Sequence, residues 1–202
     1  TQNGFVKNTN AGLQYSNKWN DKQTLNLTPK YNKQIYTNNN NKKTQTQVGE
    51  TELIENTSKV SNVDRSNFKL NAIYDVKIDS LNSLQITTKT NFYNTESGEF
   101  TNGNTTGIDG LLKNKQLKTF TTKSDKQSLF AGVLYKHKFA KPRRTFSVNA
   151  SASTLNTDAN NFLKSSNESY EDGNFASRVD LDQNKIEEKK NQNLTLNLTY
   201  SE

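Results

Sequence analysis

The chain has 202 residues, of which 30% are hydrophobic, and its formal net charge is +7 at pH 7. Soluble globular proteins have about 45–50% apolar residues when glycine is counted, so this composition argues against a well-filled protein core. Cysteine is absent, which excludes a disulfide framework and a thiolate metal site. The lysines are scattered along the chain instead of collecting on a basic and aromatic platform, so nucleic acid is not expected as a partner.

Apolar and polar residues alternate along the chain, and this period of two predicts β-strands with one apolar and one polar face. The alternation is clearest from Phe68 to Ile78 and from Leu84 to Phe92. Pro29 interrupts one strand, because proline has no backbone donor for the ladder. Seven strands are predicted, at about residues 5–18, 24–36, 62–78, 83–95, 119–139, 144–156 and 186–200.

Short and long connections alternate between these strands. Turn-forming residues predict tight turns at 19–23, 79–83 and 140–143. Polar composition predicts long loops, which can begin as strand, at 38–61, 96–117 and 158–184. Barrels that span an outer membrane have this rhythm, with the short turns on the periplasmic side and the long loops outside. No run approaches the roughly 20 apolar residues of a membrane helix.

The pattern therefore predicts an all-β fold, an antiparallel up-and-down meander of about seven long strands that is part of a transmembrane β-barrel. Residues 1–202 are expected to form a single segment of that barrel. Bacterial single-chain barrels generally have even strand numbers, and the sequence has no initiating methionine. Both features lead us to expect a piece of a longer protein.

Three stretches resemble turn and strand motifs of a known family. They are DVKIDSLNSL at 75–84, LYKHKF at 134–139 together with RRTFSV at 143–148, and NLTYSE at 197–202. They are similar to motifs of an outer-membrane β-barrel family related to TonB-dependent receptors. The sequence departs from the family at Pro142-Arg143-Arg144, where a glycine often precedes the Arg-Thr pair, so the resemblance does not define the type of this turn.

The resemblance implies a large barrel with an N-terminal plug in the outer membrane of a Gram-negative bacterium. It implies a transporter or receptor without catalytic activity, which takes up or binds a bulky nutrient with energy from the inner membrane. The expected partners are outer-membrane lipid and lipopolysaccharide, the remainder of the barrel, a plug domain and an energy-coupling protein. No cofactor is expected.

Two other functions are compatible with a β-rich chain. The first is a secreted or surface β-rich binding or adhesive module without transport activity, whose apolar stripe would pack against protein instead of lipid. The second is an enzyme domain on a β-scaffold. An enzyme would need a convergent acid and base cluster, and the sequence offers none.

The predicted sites are membrane contacts, since rings suit the boundary between hydrocarbon and head groups and apolar strand faces suit lipid. The aromatic residues expected at the membrane interface are Tyr15, Trp19, Tyr135, Phe139, Phe146 and Tyr200. The residues expected to face lipid are Leu70, Ala72, Val76, Leu84, Ile86, Val133, Val148, Leu196 and Leu198.

Other polar features are interpreted as structural. His137, the only histidine, lies in an alternating strand and is not expected to be catalytic. Asp180, Asp182 and Asn184 match the first positions of a calcium loop, but Lys185 and Asn191 stand where that loop requires glycine and glutamate. No metal site is predicted, although a loosely held calcium stays open. A basic cluster is expected to be a solvated periplasmic turn or a contact with anionic lipid or a partner protein; it comprises Lys136, Lys138, Lys141, Arg143 and Arg144.

Overall fold

The computed structural model describes residues 2–49 and 51–202, and it is built from β-strands only. The strands are β1 (Gln2–Gly12), β2 (Tyr15–Trp19), β3 (Gln23–Val48), β4 (Thr51–Lys77), β5 (Asn82–Gly107), β6 (Leu112–Lys138), β7 (Thr145–Glu171) and β8 (Asn174–Ser201). All neighbours are antiparallel and follow the order β1-β3-β4-β5-β6-β7-β8, with β2 also paired to β3. The predicted all-β, up-and-down meander is confirmed. Within the described residues the sheet is open, with β1 and β8 as its edges.

The first predicted strand is divided into two collinear segments, so the structure has eight strands where seven were expected. β1 and β2 pair with β3 in one continuous register and are separated at Leu13 and Gln14. The Leu13 amide donates to the Pro29 carbonyl at 3.0 Å. Pro29 cannot return a hydrogen bond, because its nitrogen carries no hydrogen. The missing donor accounts for the break.

The three polar segments predicted to be long loops are strand over most of their length, so this part of the prediction was wrong. Residues 38–48 pair with 51–61, for example, and residues 158–169 continue the ladder with β8. Polar side chains do not oppose pairing where both faces of a sheet meet water, because the ladder itself satisfies the backbone. Short connections lie at 108–111 and 172–173, and β4 begins at Thr51, three residues after β3 ends at Val48. Asp172 and Gly173 have φ values of 48° and 78°, as in a two-residue type I′ hairpin.

The opposite ends of the strands are joined by tight turns where the sequence predicts them, at 20–22, 78–81 and 139–144. The last of these has the features of a type II turn. Pro142 occupies its second position, Arg143 has a φ of 71°, and the Arg144 amide donates to the Lys141 carbonyl at 3.3 Å. Glycine is favoured at the third position of a type II turn, because it has no side chain to clash at positive φ.

The sheet is a single layer without a protein core. No hydrophobic residue in the described part of the chain is buried. Side chains on the two sides of β6 differ in exposure at most positions. One side is exposed at 121, 123, 127, 129, 131 and 133, whereas the other is half-buried or buried at 122, 124, 128, 130, 132 and 134.

Replacing Arg143 with glycine is expected to stabilise the protein. An L-residue in the left-handed region costs about 1–2 kcal/mol, and part of this gain is offset by the flexibility of glycine in the unfolded chain. Arg143→Gly should therefore raise the free energy of unfolding by about 1 kcal/mol, measured by urea titration of the full protein. Arg143→Ala removes the same guanidinium without relieving the backbone, and an equal gain in that control would contradict the explanation.

Candidate functional site

The register of the ladders divides the side chains into two faces, because directly paired residues of an antiparallel sheet point to the same side. One row joins Leu25, Tyr74, Ile86, Val133 and Ala150, and it continues to Leu196 on β8. We call the side of the sheet that carries this row the belt face, and the other side the opposite face. The belt face includes the more exposed side of β6.

The half of the belt face nearest the turns at 20–22, 78–81 and 139–144 carries an apolar belt. Its rows extend from the one that contains Val76 and Leu198 to the one that contains Leu70 and Leu129. No Asp, Glu, Lys or Arg occurs in these rows among the described residues. Large apolar side chains of the belt are open to solvent, with Leu194 85% and Val133 41% exposed. The belt therefore lacks a protein cover in this structure.

All of the residues predicted to face lipid lie on the belt face. The ladders bring them into neighbouring rows although they come from five different strands. These residues are Leu70, Ala72, Val76, Leu84, Ile86, Val133, Val148, Leu196 and Leu198. These residues therefore form one continuous surface. That lipid covers this surface stays a prediction.

Most of the predicted interface aromatics collect at the turn end of the belt. Trp19 and Tyr135 lie in its last row, and Phe146 and Tyr200 lie in the row directly beyond it. Phe139 follows β6, and its ring meets Tyr200 edge-on at a centroid distance of 6.1 Å. Tyr15, the sixth predicted residue, is on the same face but lies two rows deeper than Trp19, beside Leu27.

A second aromatic row at the far end of the belt was not predicted. It contains Tyr31, Phe68 and Phe92 on three adjacent strands, and the rings of Phe68 and Phe92 are stacked at 6.4 Å. The three residues lie at similar distances along the chain from their nearest tight turns. This spacing is the one feature of the sequence that could have indicated a shared row. Only the observed register shows that the three residues share one row.

On β3 to β7 charged residues begin immediately beyond this second row and mark the end of the belt, whereas on β8 Lys190 lies in the row itself. Lys33 is 2.9 Å from Asp64, and Lys123 is 2.9 Å from Glu96. The hydrogen bonds to these carboxylates raise the pKa of both lysines above their usual range. Along β7 the belt and its bounding rows run from Phe146 to Asn156. This length matches the roughly 9–11 residues with which a strand tilted by about 45° crosses a bilayer.

The opposite face is mainly polar, although it includes apolar residues such as Ile73, Phe130 and Leu134, and it carries most of the positive charge of the chain. Its acidic residues among the described strands are Glu55, Asp75, Glu99 and Glu187. Its basic residues are Lys18, Lys30, Lys42, Lys59, Arg65, Lys69, Lys77, Lys89, Lys118, Lys126, Lys136, Lys138, Lys185 and Lys189. The belt face, in contrast, carries a nearly equal number of acids and bases.

Asn82 connects the turn at 78–81 to β6. The carboxylate of Asp79 accepts hydrogen bonds from the Leu81 and Asn82 amides, each at 2.7 Å, and from Asn82 Nδ2 at 2.7 Å. Asn82 Oδ1 in turn accepts a hydrogen bond from the Tyr135 hydroxyl at 2.5 Å and lies 2.7 Å from His137 Nδ1. The ring of His137 thus contacts Asn82 on one side, and it meets the ring of Phe139 edge-on at a centroid distance of 4.6 Å.

The suggested calcium residues lie in β8 and not in a loop. Asp180, Asp182 and Asn184 point to the belt face from alternate positions, so neighbouring Cβ atoms are roughly 7 Å apart. Asp180 also accepts a hydrogen bond from Arg178 Nε at 2.8 Å. In the part of the chain that the structure describes, no three His, Cys, Asp or Glu side chains come together as a metal site would require.

The five residues of the basic cluster near the last turn do not form one surface. Lys136 and Lys138 point to the opposite face, whereas Arg143 belongs to the turn. Arg144 forms an ion pair with Glu202, and Lys141 Nζ lies 3.7 Å from the same carboxylate. The cluster thus ties the end of β8 to the turn before β7.

Comparisons with known proteins give no assignment, since no protein-family model and no curated protein matches the chain. The resemblance to the family related to TonB-dependent receptors thus stays an expectation.

Across residues 2–49 and 51–202 there is no helix of the length and hydropathy needed to cross a membrane.

The turn at Asp79 is expected to weaken in acid. Its hydrogen bonds, first those from the Asn82 side chain and the Leu81 amide, lower the pKa of Asp79 below its ordinary value of 3.8. A carboxylate of this kind stabilises the fold above its unfolded pKa, and the contribution is lost as the pH falls through the folded pKa. Asp79→Ala should reduce hydrogen-exchange protection of Leu81 and Asn82 at neutral pH, and this difference from the wild-type protein should vanish in acid. A difference that stays constant with pH would contradict the assignment.

Proposed function

We propose that the sheet is a wall segment of an outer-membrane transporter or receptor of the TonB-dependent type, which takes up or binds a bulky nutrient. The belt faces the hydrocarbon of the outer membrane, and the opposite face lines the interior of the barrel. The observation that carries the proposal is an apolar belt that has no charge and no protein cover and that reaches bilayer height together with its two bounding rows. An exposed apolar surface of this extent requires a cover, because contact with water is unfavourable.

The two aromatic rows support this orientation. Outer-membrane barrels have aromatic girdles at both boundaries of the apolar band, where amphipathic rings contact head groups. The row of Phe146 and Tyr200 corresponds to the periplasmic boundary, and the row of Phe68 and Phe92 to the outer one. The paired strands that continue beyond Phe92 extend into the medium or toward lipopolysaccharide.

The open edges support a larger barrel. Both β1 and β8 have one side without a strand partner in the described residues, and unpaired edges of this length are liable to aggregate. Further strands of the same protein would satisfy them and close the barrel. A plug domain inside the barrel and an energy-coupling protein of the inner membrane are partners that the sequence resemblance implies.

The alternative is a secreted or surface β-rich binding or adhesive module without transport activity. The open, single-layer sheet also suits this function, because a partner protein could cover the belt. The two functions differ in what the belt contacts, which can be measured directly.

Lysine scanning across neighbouring residues tests the proposal. Ala150 lies in the belt row of Val133 and Leu196, whereas Asn149 points to the opposite face. Ala150→Lys should destabilise the full protein in lipid vesicles by about 2–4 kcal/mol, the cost of a lipid-facing lysine near the bilayer midplane. Asn149→Lys, which adds the same side chain one residue away, should have little effect. Urea titration followed by heat-modifiable gel mobility measures both.

A harmless Ala150→Lys substitution would exclude the lipid-facing belt. An equal loss in Asn149→Lys would show that the strand tolerates lysine on neither face. A protein that stays in the soluble extract and does not associate with vesicles would favour the alternative module.

The depth of Trp19 provides a second test. The residue is the only tryptophan of the chain and lies at the turn end of the belt. The emission of Trp19 is the difference between the fluorescence of the wild-type protein and that of Trp19→Phe. Lipids brominated close to the head group should quench this emission more than lipids brominated near the chain ends, because the ring lies at the interface. Strongest quenching by a water-soluble quencher, with none by either lipid, would contradict this position.

A further inference from the structure

Two lysines of the opposite face are direct neighbours across a ladder. Lys30 on β3 pairs with Lys69 on β4, and Lys89 lies diagonally from Lys69 on β5. Directly opposite Cβ atoms are about 4.5–5.5 Å apart and diagonal ones about 7–8 Å apart, so like charges in these positions destabilise a sheet. All three side chains are exposed, and none has an ion-pair partner among the described residues.

The three lysines border two adjoining clefts on the opposite face. A cleft of about 670 Å³ is lined in part by Lys69, Lys89 and Phe130, and a cleft of about 480 Å³ is lined in part by Lys30 and Lys69. Lys69 belongs to both. No acidic side chain lines either cleft.

The other groups in these clefts donate and accept hydrogen bonds. Asparagine side chains line both, at Asn32 and Asn67 in the smaller cleft and at Asn71, Asn91 and Asn193 in the larger one. Lys89 Nζ also lies 5.6 Å from the centre of the Phe130 ring, so this ring supplies an apolar surface beside the charges. Such a set of groups suits a solute that has acid groups together with polar and apolar parts.

We propose that Lys30, Lys69 and Lys89 form a binding site for a solute with several acid groups, such as carboxylates or phosphates. The inference rests on the proposed function only in that the opposite face would line the interior. Repulsion among uncompensated lysines is a cost that an anionic ligand removes. The three lysines therefore repel each other in the ligand-free sheet, and binding of an anionic ligand relieves this repulsion.

The use of lysine instead of arginine fits a solute that moves on after binding. Lysine is a strongly hydrated point charge with rotatable donors, whereas arginine binds acids through a rigid, bidentate fork. A pathway requires binding that is strong enough for entry and weak enough for release, and rings of basic side chains select anions in pores. Further lysines of the opposite face, at Lys126 and Lys189, continue the positive surface in the next row along the strands.

The test measures anion binding to the full-length protein in detergent by isothermal titration calorimetry. The probes are hexagalacturonate, which carries carboxylates on a hydroxyl-rich chain, its uncharged methyl ester, and tripolyphosphate. At least one anion should bind at least about tenfold more tightly than the ester. Lys69→Gln should weaken that binding about tenfold, which corresponds to one charge-assisted hydrogen bond. Preference for hexagalacturonate or for tripolyphosphate would identify which acid group the site favours.

Lys43→Gln is the matched control, because Lys43 is an exposed lysine of β3 on the belt face, far from the clefts. It should leave anion affinity unchanged. Lys69→Gln should also raise Tm in the absence of anion, since it removes the repulsion with Lys30. A lower Tm with unchanged anion affinity would overturn the proposal, because it would show that carboxylates of another protein segment hold these lysines.

Equal binding of the anions and the ester would also overturn it. Insertion into vesicles, followed by heat-modifiable mobility, separates this result from the proposed function. Anion binding by a protein that does not insert would support the lysine site and reject the membrane barrel. Insertion without anion binding would support the membrane barrel and reject the lysine site.

Discussion

The structure depends on how one side of a single-layer sheet is shielded from water. Burial of a leucine-sized side chain contributes about 1.5–3 kcal/mol, yet the belt residues have no protein layer above them. The ladders satisfy the backbone of the sheet but leave this apolar surface open. A hydrocarbon environment would shield all of the belt at once, and the charge pairs beyond Phe68 and Phe92 would then lie in water.

Charge is segregated by the same two-residue period that separates the faces. At belt depth the row of Leu70 and Leu129 on the belt face is free of charge, while the adjacent row on the opposite face carries Lys30 and Lys69. A shift of one residue in register would exchange these rows. The resulting placement of lysine against hydrocarbon would be costly, so the membrane and the ladders would select the same register. The positive opposite face and the apolar belt face are therefore two consequences of one pairing pattern.

The sequence predicts the strands near the tight turns, because alternation from Phe68 to Ile78 and from Leu84 to Phe92 is regular. It did not predict how far they extend, since polar composition was interpreted as loop. The dipeptide Asp172-Gly173, a typical two-residue hairpin turn, was the local signal that should have placed a short connection there. The Lys30–Lys69 pair could not be predicted, because it depends on the register between β3 and β4 over a region whose polar composition was interpreted as a loop.

Spin-label accessibility along β7 tests the central claim most directly. Single labels would be placed at each position from 146 to 156 of the full protein in lipid vesicles, and collisions with oxygen and with a water-soluble nickel complex would be compared. The belt face at 148, 150, 152 and 154 should favour oxygen, and the intervening positions should favour nickel. The account predicts that oxygen preference falls on the even-numbered positions and nickel preference on the odd-numbered ones. Nickel access on both faces, or a preference for oxygen on the opposite face, would contradict the account.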